Sequence, residues 1–149
     1  MMGRTKAKHP RVAVLPHVEK QPKIAAIHDE DGPISWRVGD MDLDGPWSWG
    51  AILAADVEDV RRNLSEIERL TWGVACSGWR PRVKAIRTSQ MPSRTRKRLL
   101  DTSRDDTDFL HEIHVSGEQR VWGIRRGSVF SLLWWDPRHT VYPSTKKNT

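Results

Sequence analysis

The sequence predicts an α+β domain in which one or two helices pack on an antiparallel meander sheet. Three observations predict it: a helical apolar period over residues 56–72, a second short helix opened by Pro92 and Ser93, and three late runs rich in β-branched and aromatic residues. At 149 residues the chain has the length of one domain and is short for two. Residues 24–143 are expected to form that domain, between a flexible basic arm over 1–23 and a basic tail over 144–149. No apolar run approaches the length of a membrane span, so no membrane partner is expected. The basic N-terminus lacks the apolar stretch of a signal peptide, and a lone Cys76 cannot form an internal disulfide. Both point to a reducing, cytoplasmic setting, with Cys76 expected to be buried.

The elements follow in chain order. Residues 34–38 read as a short strand. Asp40, Asp42 and Asp44 then lead into a Gly45-Pro46 turn flanked by Trp47 and Trp49, expected to cover one end of the core. Alternate acids resemble the start of a calcium loop, but the closing glutamate is missing, and no metal site is expected. In the helix over 56–72, Val57, Val60, Leu64 and Ile67 recur on one face, Asp56 caps the start and Gly73 stops the end. Residues 80–87 suit a strand with an exposed edge, and 93–102 a short helix.

The last third reads as strands over 110–115, 120–124 and 128–135. A three-residue loop ending on Gly127 would pair Ile124 with Ser128, Trp122 with Phe130 and Arg120 with Leu132. In that register Trp122, Ile124, Phe130, Leu132 and Trp134 share the core face with His111, Ile113 and Val115. Glu112, His114, Val121, Gly123, Val129, Ser131, Leu133 and Trp135 fall on a shallow, half-polar face.

Charge is distributed in blocks. The net charge is +6, yet residues 24–79 hold eleven acids against four bases, while 80–98 hold eight bases and no acid. That block supplies candidate nucleic-acid contacts: Arg80, Arg82, Lys84, Arg87, Arg94, Arg96, Lys97 and Arg98. Four of them crowd the first half of the second helix, where they oppose its dipole, which suggests an anionic partner. Pairing with the acidic segment is the competing account.

On the half-polar face Glu112 and His114 stand two residues apart, about 7 Å, a workable acid and base near neutral pH. Gly123 opposite them would leave room for a ligand. Trp135 at the strand end could stack a base, as could Trp79, while Arg125, Arg126, Arg138 and His139 in loops could hold or protonate a phosphodiester. Such a set suits metal-independent RNA cleavage and calls for no cofactor. A solvated sheet face is the plainer account, and a one-residue slip would turn Glu112 and His114 inward.

The run Arg120-Val121-Trp122-Gly123-Ile124-Arg125, followed by Leu132-Leu133-Trp134-Trp135-Asp136-Pro137 and His139, resembles a family of small bacterial proteins that also carry the corner from Asp42 to Trp47. More loosely, helices followed by an arginine-bearing meander and a C-terminal His and Tyr resemble RelE/ParE-type toxins over about residues 56–142. That second resemblance implies RNA or the ribosome as target and a cognate protein inhibitor as partner. It also implies Arg120 or Arg125 as the phosphate-binding arginine and His139 or Tyr142 as the C-terminal acid. This chain departs from the group in its length, in its non-basic body and in Asp136-Pro137, which interrupts the last strand. A non-catalytic nucleic-acid-binding or partner-binding protein using residues 80–98 is the alternative.

Overall fold

Alternating side chains cover both faces of a five-stranded sheet, and helices or loops bury each face. The computed structural model describes residues 32–144; the basic arm over 1–23 and residues 145–149 of the tail lie outside the described residues. In chain order come β1 (Ser35–Arg37), α1 (Ala54–Ile67), the one-turn α2 (Trp72–Ala75), β2 (Val83–Arg87), α3 (Ser93–Asp101), β3 (Phe109–Ser116), β4 (Gln119–Arg126) and β5 (Val129–Asp136). Short 3₁₀ turns occupy Trp49–Ala51 and Thr88–Gln90. The sheet order is β1-β5-β4-β3-β2. Strands β3 to β5 pair antiparallel, as the meander predicts, β2 adds antiparallel to β3, and β1 adds to β5 in parallel and makes the sheet mixed. The fold is one α+β domain.

The first helix is shorter than its apolar period. It runs over Ala54–Ile67 with Leu53 at the N-cap, and Asp56 accepts a hydrogen bond from Gln119 instead of capping. Val60 and Ile67 are buried, but Val57 remains 48% exposed. After Ile67 the chain turns, and the Thr71 hydroxyl accepts from the Val74 N–H to start α2. Cys76, at the end of α2, is exposed and not buried as expected.

The turns explain the register. Ser116 pairs with Gln119 and Arg126 with Val129, so each hairpin loop holds two residues. Only the first of each pair, Gly117 (φ 53°) or Gly127 (φ 60°), takes a left-handed conformation, which glycine adopts without strain. The expected three-residue loop is therefore wrong, and with it the pairing of Ile124 with Ser128: Ile124 pairs with Ser131 and Trp122 with Trp134. Between these pairs Leu133 is one residue too many on β5, a bulge that lets both Leu133 and Trp134 face α3.

The consequence is two cores and no bare half-polar face. Ile113, Val115, Val121, Phe130, Leu132 and Trp135 pack with Val60 and Ile67 of α1 and Trp72 of α2. On the other side Leu110, Trp122, Leu133 and Trp134 pack with Leu99 of α3, Trp47, Met91 and Val141. Trp122 and Trp134 thus leave the face shared by Phe130 and Leu132, and Val121, Leu133 and Trp135 become core residues.

Tryptophans seal the second core through their N–H groups as well as their area. Trp134 donates to Asp42 at 3.1 Å, Trp122 to Asp136 at 3.0 Å and Trp47 to the Thr140 hydroxyl at 2.8 Å. Asp136 is fully buried and also accepts from the backbone N–H groups of Thr140 and Val141. The segment after β5 is therefore latched onto the sheet end, with Thr95 of α3 donating to the Val141 carbonyl at 2.6 Å.

Candidate nucleic-acid cleft

Alternation in β3 sends Glu112 and His114 to one side of the sheet and His111 to the other. Across the ladders Glu112 sits between Lys84 of β2 and Trp122 of β4, and His114 pairs with Arg120. The side chains of Lys84, Glu112, His114 and Arg120 line a cleft of about 440 Å³. Trp79, Arg80 and Arg82, on the segment leading into β2, complete its wall. Six of the residues expected from sequence to bind or cleave RNA thus meet in one cavity, four of them cations beside a single carboxylate and a histidine.

Arg120 is held by its surroundings. Its Nη1 donates to the carbonyl oxygens of Gly117 and Gln119 at 2.6 and 3.0 Å, and its Nε lies 3.4 Å from Glu112 Oε1. The Nε is buried and makes no hydrogen bond. Glu112, itself buried, is bracketed on its other oxygen by His139 Nε2 at 3.2 Å. His139 has a φ of 57° and meets Ser144 through Nδ1. The Asp136 latch positions this loop, so a buried carboxylate that sequence reasoning treated only as an interruption organises one side of the site.

His114 is exposed enough to meet a ligand, and its ring makes one hydrogen bond, to the Gly117 carbonyl. Partial burial, then the neighbouring charge of Arg120, push its pKa below the usual histidine value, with opposing contributions from the Gly117 bond and Glu112. The imidazole is neutral at pH 7 and able to accept a proton.

Other expected site residues lie elsewhere. Trp135 is buried against Trp49 at 6.1 Å between ring centroids and cannot stack an incoming base. Gly123 leaves no ligand space beside Glu112: it pairs with His111, and the Cβ of any other residue would lie 2.2 Å from Phe130. Arg125 packs its guanidinium over Trp72, away from the cleft, and Tyr142 packs against the second core. His139 reaches Glu112 but is not on the cleft wall.

In the basic block, Arg98 is consumed by Asp42 in a half-buried pair, and Arg82 is held by Glu66 at 3.2 Å and Asn63 at 2.8 Å. Arg87 and Arg94 cover the rings of Phe109 and Trp47. Arg96, Lys97, Arg126 and Arg138 are exposed and do not line this cleft. Pairing with the acidic segment therefore accounts for part of the block, while Arg80 and Lys84 carry no ion pair among the described residues.

Trp79 is 86% exposed, exceptional for a residue that usually serves a core, and Arg80 lies over its ring at 4.3 Å. Among the described residues no group of three His, Cys, Asp or Glu side chains is placed to hold a metal ion, and no helix is long and apolar enough to cross a membrane. Comparison with protein families, with curated proteins and with solved structures finds no match.

Proposed function

We propose that this chain is a toxin-like, metal-independent endoribonuclease, with the cleft between β2, β3 and β4 as its site. The observation that carries the reading is the convergence of His114, Glu112 and Arg120 with Arg80 and Lys84 beside the exposed Trp79. An unstacked base packs on the indole, and cations flank the phosphate. Neutral His114 takes the proton of the 2′-hydroxyl. The 2′-oxygen bonds to phosphorus, the bond to the 5′-oxygen breaks, and Lys84 protonates that leaving oxygen, giving a 2′,3′-cyclic phosphate and a free 5′-hydroxyl. Arg120, oriented by Glu112 and two carbonyls, stabilises the charge that builds on the phosphorane.

Non-catalytic binding of nucleic acid or a partner is the second reading, favoured by the engagement of both Glu112 oxygens. Two experiments separate them. Expression in bacteria should arrest growth and fragment RNA, and intact RNA with normal growth would overturn cleavage. His114→Ala should abolish cleavage while leaving RNA affinity. A binder would ignore that change, weaken on loss of Arg94, Arg96 and Lys97, and show a steep salt dependence.

A further inference from the structure

A second concavity, of about 410 Å³, opens on the sheet beside the start of β3 and the end of β4. Phe109 and His111 line it together with Arg125, Arg126, Asp106 and Asp108, while Ile124, which also borders it, turns its side chain into the second core. Because His111 and Glu112 are consecutive in β3, this cavity and the proposed RNase cleft are served by opposite faces of the sheet.

Two features are unusual. Charges of both signs line this one space, yet among the described residues none of these four forms an ion pair. Opposite charges that share a cleft without closing on each other leave room for a group offering donors on one edge and acceptors on another. The second feature is the fixed tautomer of His111. Its Nδ1 accepts from the Arg125 backbone N–H at 3.4 Å, so the neutral ring carries its proton on Nε2, for which no partner occurs among the described residues. Burial, and then the Arg125 charge, hold this imidazole neutral, with a pKa of about 4.

We propose that this cavity binds a guanine base. Guanine presents N1–H and N2–H₂ donors on one edge, matching Asp106 and Asp108, and the O6 and N7 acceptors on another, matching the Arg126 guanidinium and His111 Nε2–H, while Arg125 stays over Trp72 with its Nε on the Gly127 carbonyl. The ring face packs on the side of Phe109 that Arg87 leaves open. Adenine lacks this match, because its exocyclic amine would meet the Arg126 guanidinium and its N1 would meet a carboxylate. A free zwitterionic amino acid could satisfy the charges but would leave the apolar wall unused.

The test is titration of the full chain with GMP, AMP and glutamate, read by calorimetry and by the His111 imidazole resonances, and repeated with a guanine-containing and a guanine-free oligonucleotide. GMP should bind at least tenfold tighter than AMP, and the His111 resonances should shift. The oligonucleotide arm tells a nucleotide site from a base-specific RNA site, both of which uphold the proposal. Asp106→Asn and Arg126→Gln, both at exposed positions, should each weaken GMP at least fivefold without changing the circular dichroism spectrum. No binding at millimolar GMP, equal affinity for AMP, preference for glutamate, or shifts confined to His114 would overturn it. RNA cleavage by the same preparation is scored separately, so either proposal can fail alone.

Discussion

Arg98 grips Asp42 with two parallel hydrogen bonds, Nε to one carboxylate oxygen at 2.8 Å and Nη2 to the other at 2.7 Å, across 56 residues of sequence. The pair is half-buried, and the same carboxylate accepts from the Trp134 indole and the Asp44 N–H. Burial raises the Asp42 pKa, but the hydrogen bonds from Arg98 and Asp44 and the Arg98 charge outweigh it and hold the group below its usual value. Removing one partner takes away two charge-assisted hydrogen bonds and leaves the other half-buried without its counter-charge, so Asp42→Ala or Arg98→Ala should cost about 2–4 kcal/mol in urea unfolding. A folded-state pKa below the unfolded one gives stability that is present above about pH 4 and lost as pH falls through the folded value. Asp42→Asn should therefore flatten the most acidic part of the stability profile.

Asp136 should be as costly to remove. It is fully buried and accepts from Trp122, from the Thr140 and Val141 backbone and from the Thr140 hydroxyl. Asp136→Ala leaves several buried donors unpaired, roughly 2–4 kcal/mol. The segment after β5 should then become sensitive to protease, and because that segment carries His139, the Glu112 contact should loosen with it. Unchanged proteolysis would show that the latch is not needed.

These two carboxylates mark what the sequence could not disclose. The meander, α3 and the edge position of β2 were legible, because β-branched runs, glycine turns and an isolated cationic block leave strong local signals. Register was not. From Val129 to Trp135 only Ser131 is polar, so alternation gives no parity, and the Leu133 bulge has no local signature. A second irregularity, between His114 and Ser116 in the β3–β4 ladder, sets Trp122 opposite Glu112 and Val121 opposite Ile113; Trp135, paired with Val121, therefore lies in the first core, and the second core comes to the side of Glu112. Glu112 and His114 kept their common face, since spacing within a strand survives any change of pairing. Long-range partners such as Asp42 with Arg98 were visible only as balanced charge blocks.

Gly123 carries the bulge. A Cβ there would lie 2.2 Å from both a Phe130 ring carbon and the Ser131 carbonyl oxygen, whereas one at Gly39 meets nothing within 4 Å. Gly123→Ala should cost about 1–3 kcal/mol or more, and Gly39→Ala should be close to neutral. Equal melting temperatures for the two variants would contradict the observed pairing of β4 and β5.

The His114 titration links geometry to the proposed chemistry yet can be read without any activity. Arg120 disfavours the imidazolium, so Arg120→Gln should raise the His114 pKa, measured by the imidazole proton resonances. A base must be deprotonated to act. Cleavage by the native chain should fall as pH drops through the lowered His114 pKa, and in Arg120→Gln that acidic limb should move to higher pH while the maximal rate declines. A limb that stays in place while the resonance moves would assign the base to another residue.

His111 makes the complementary prediction for stability. It is largely buried beside Phe130, and burial followed by the Arg125 charge lowers its pKa to about 4. The unfolded chain binds this proton near pH 6.5 and the folded chain only near pH 4. Stability from this site is therefore complete above about pH 6.5 and is lost as pH falls toward 4, by roughly 2–3 kcal/mol across the window. His111→Gln keeps a polar group of similar reach but cannot charge. Its unfolding free energy should be lower than native at pH 7, where packing is altered, and should decline less between pH 6.5 and 4.5. Parallel profiles for the two proteins would mean that the imidazole takes up its proton as readily in the folded chain as in the unfolded one, and Nδ1 could then no longer accept from the Arg125 N–H that fixes the ring's tautomer.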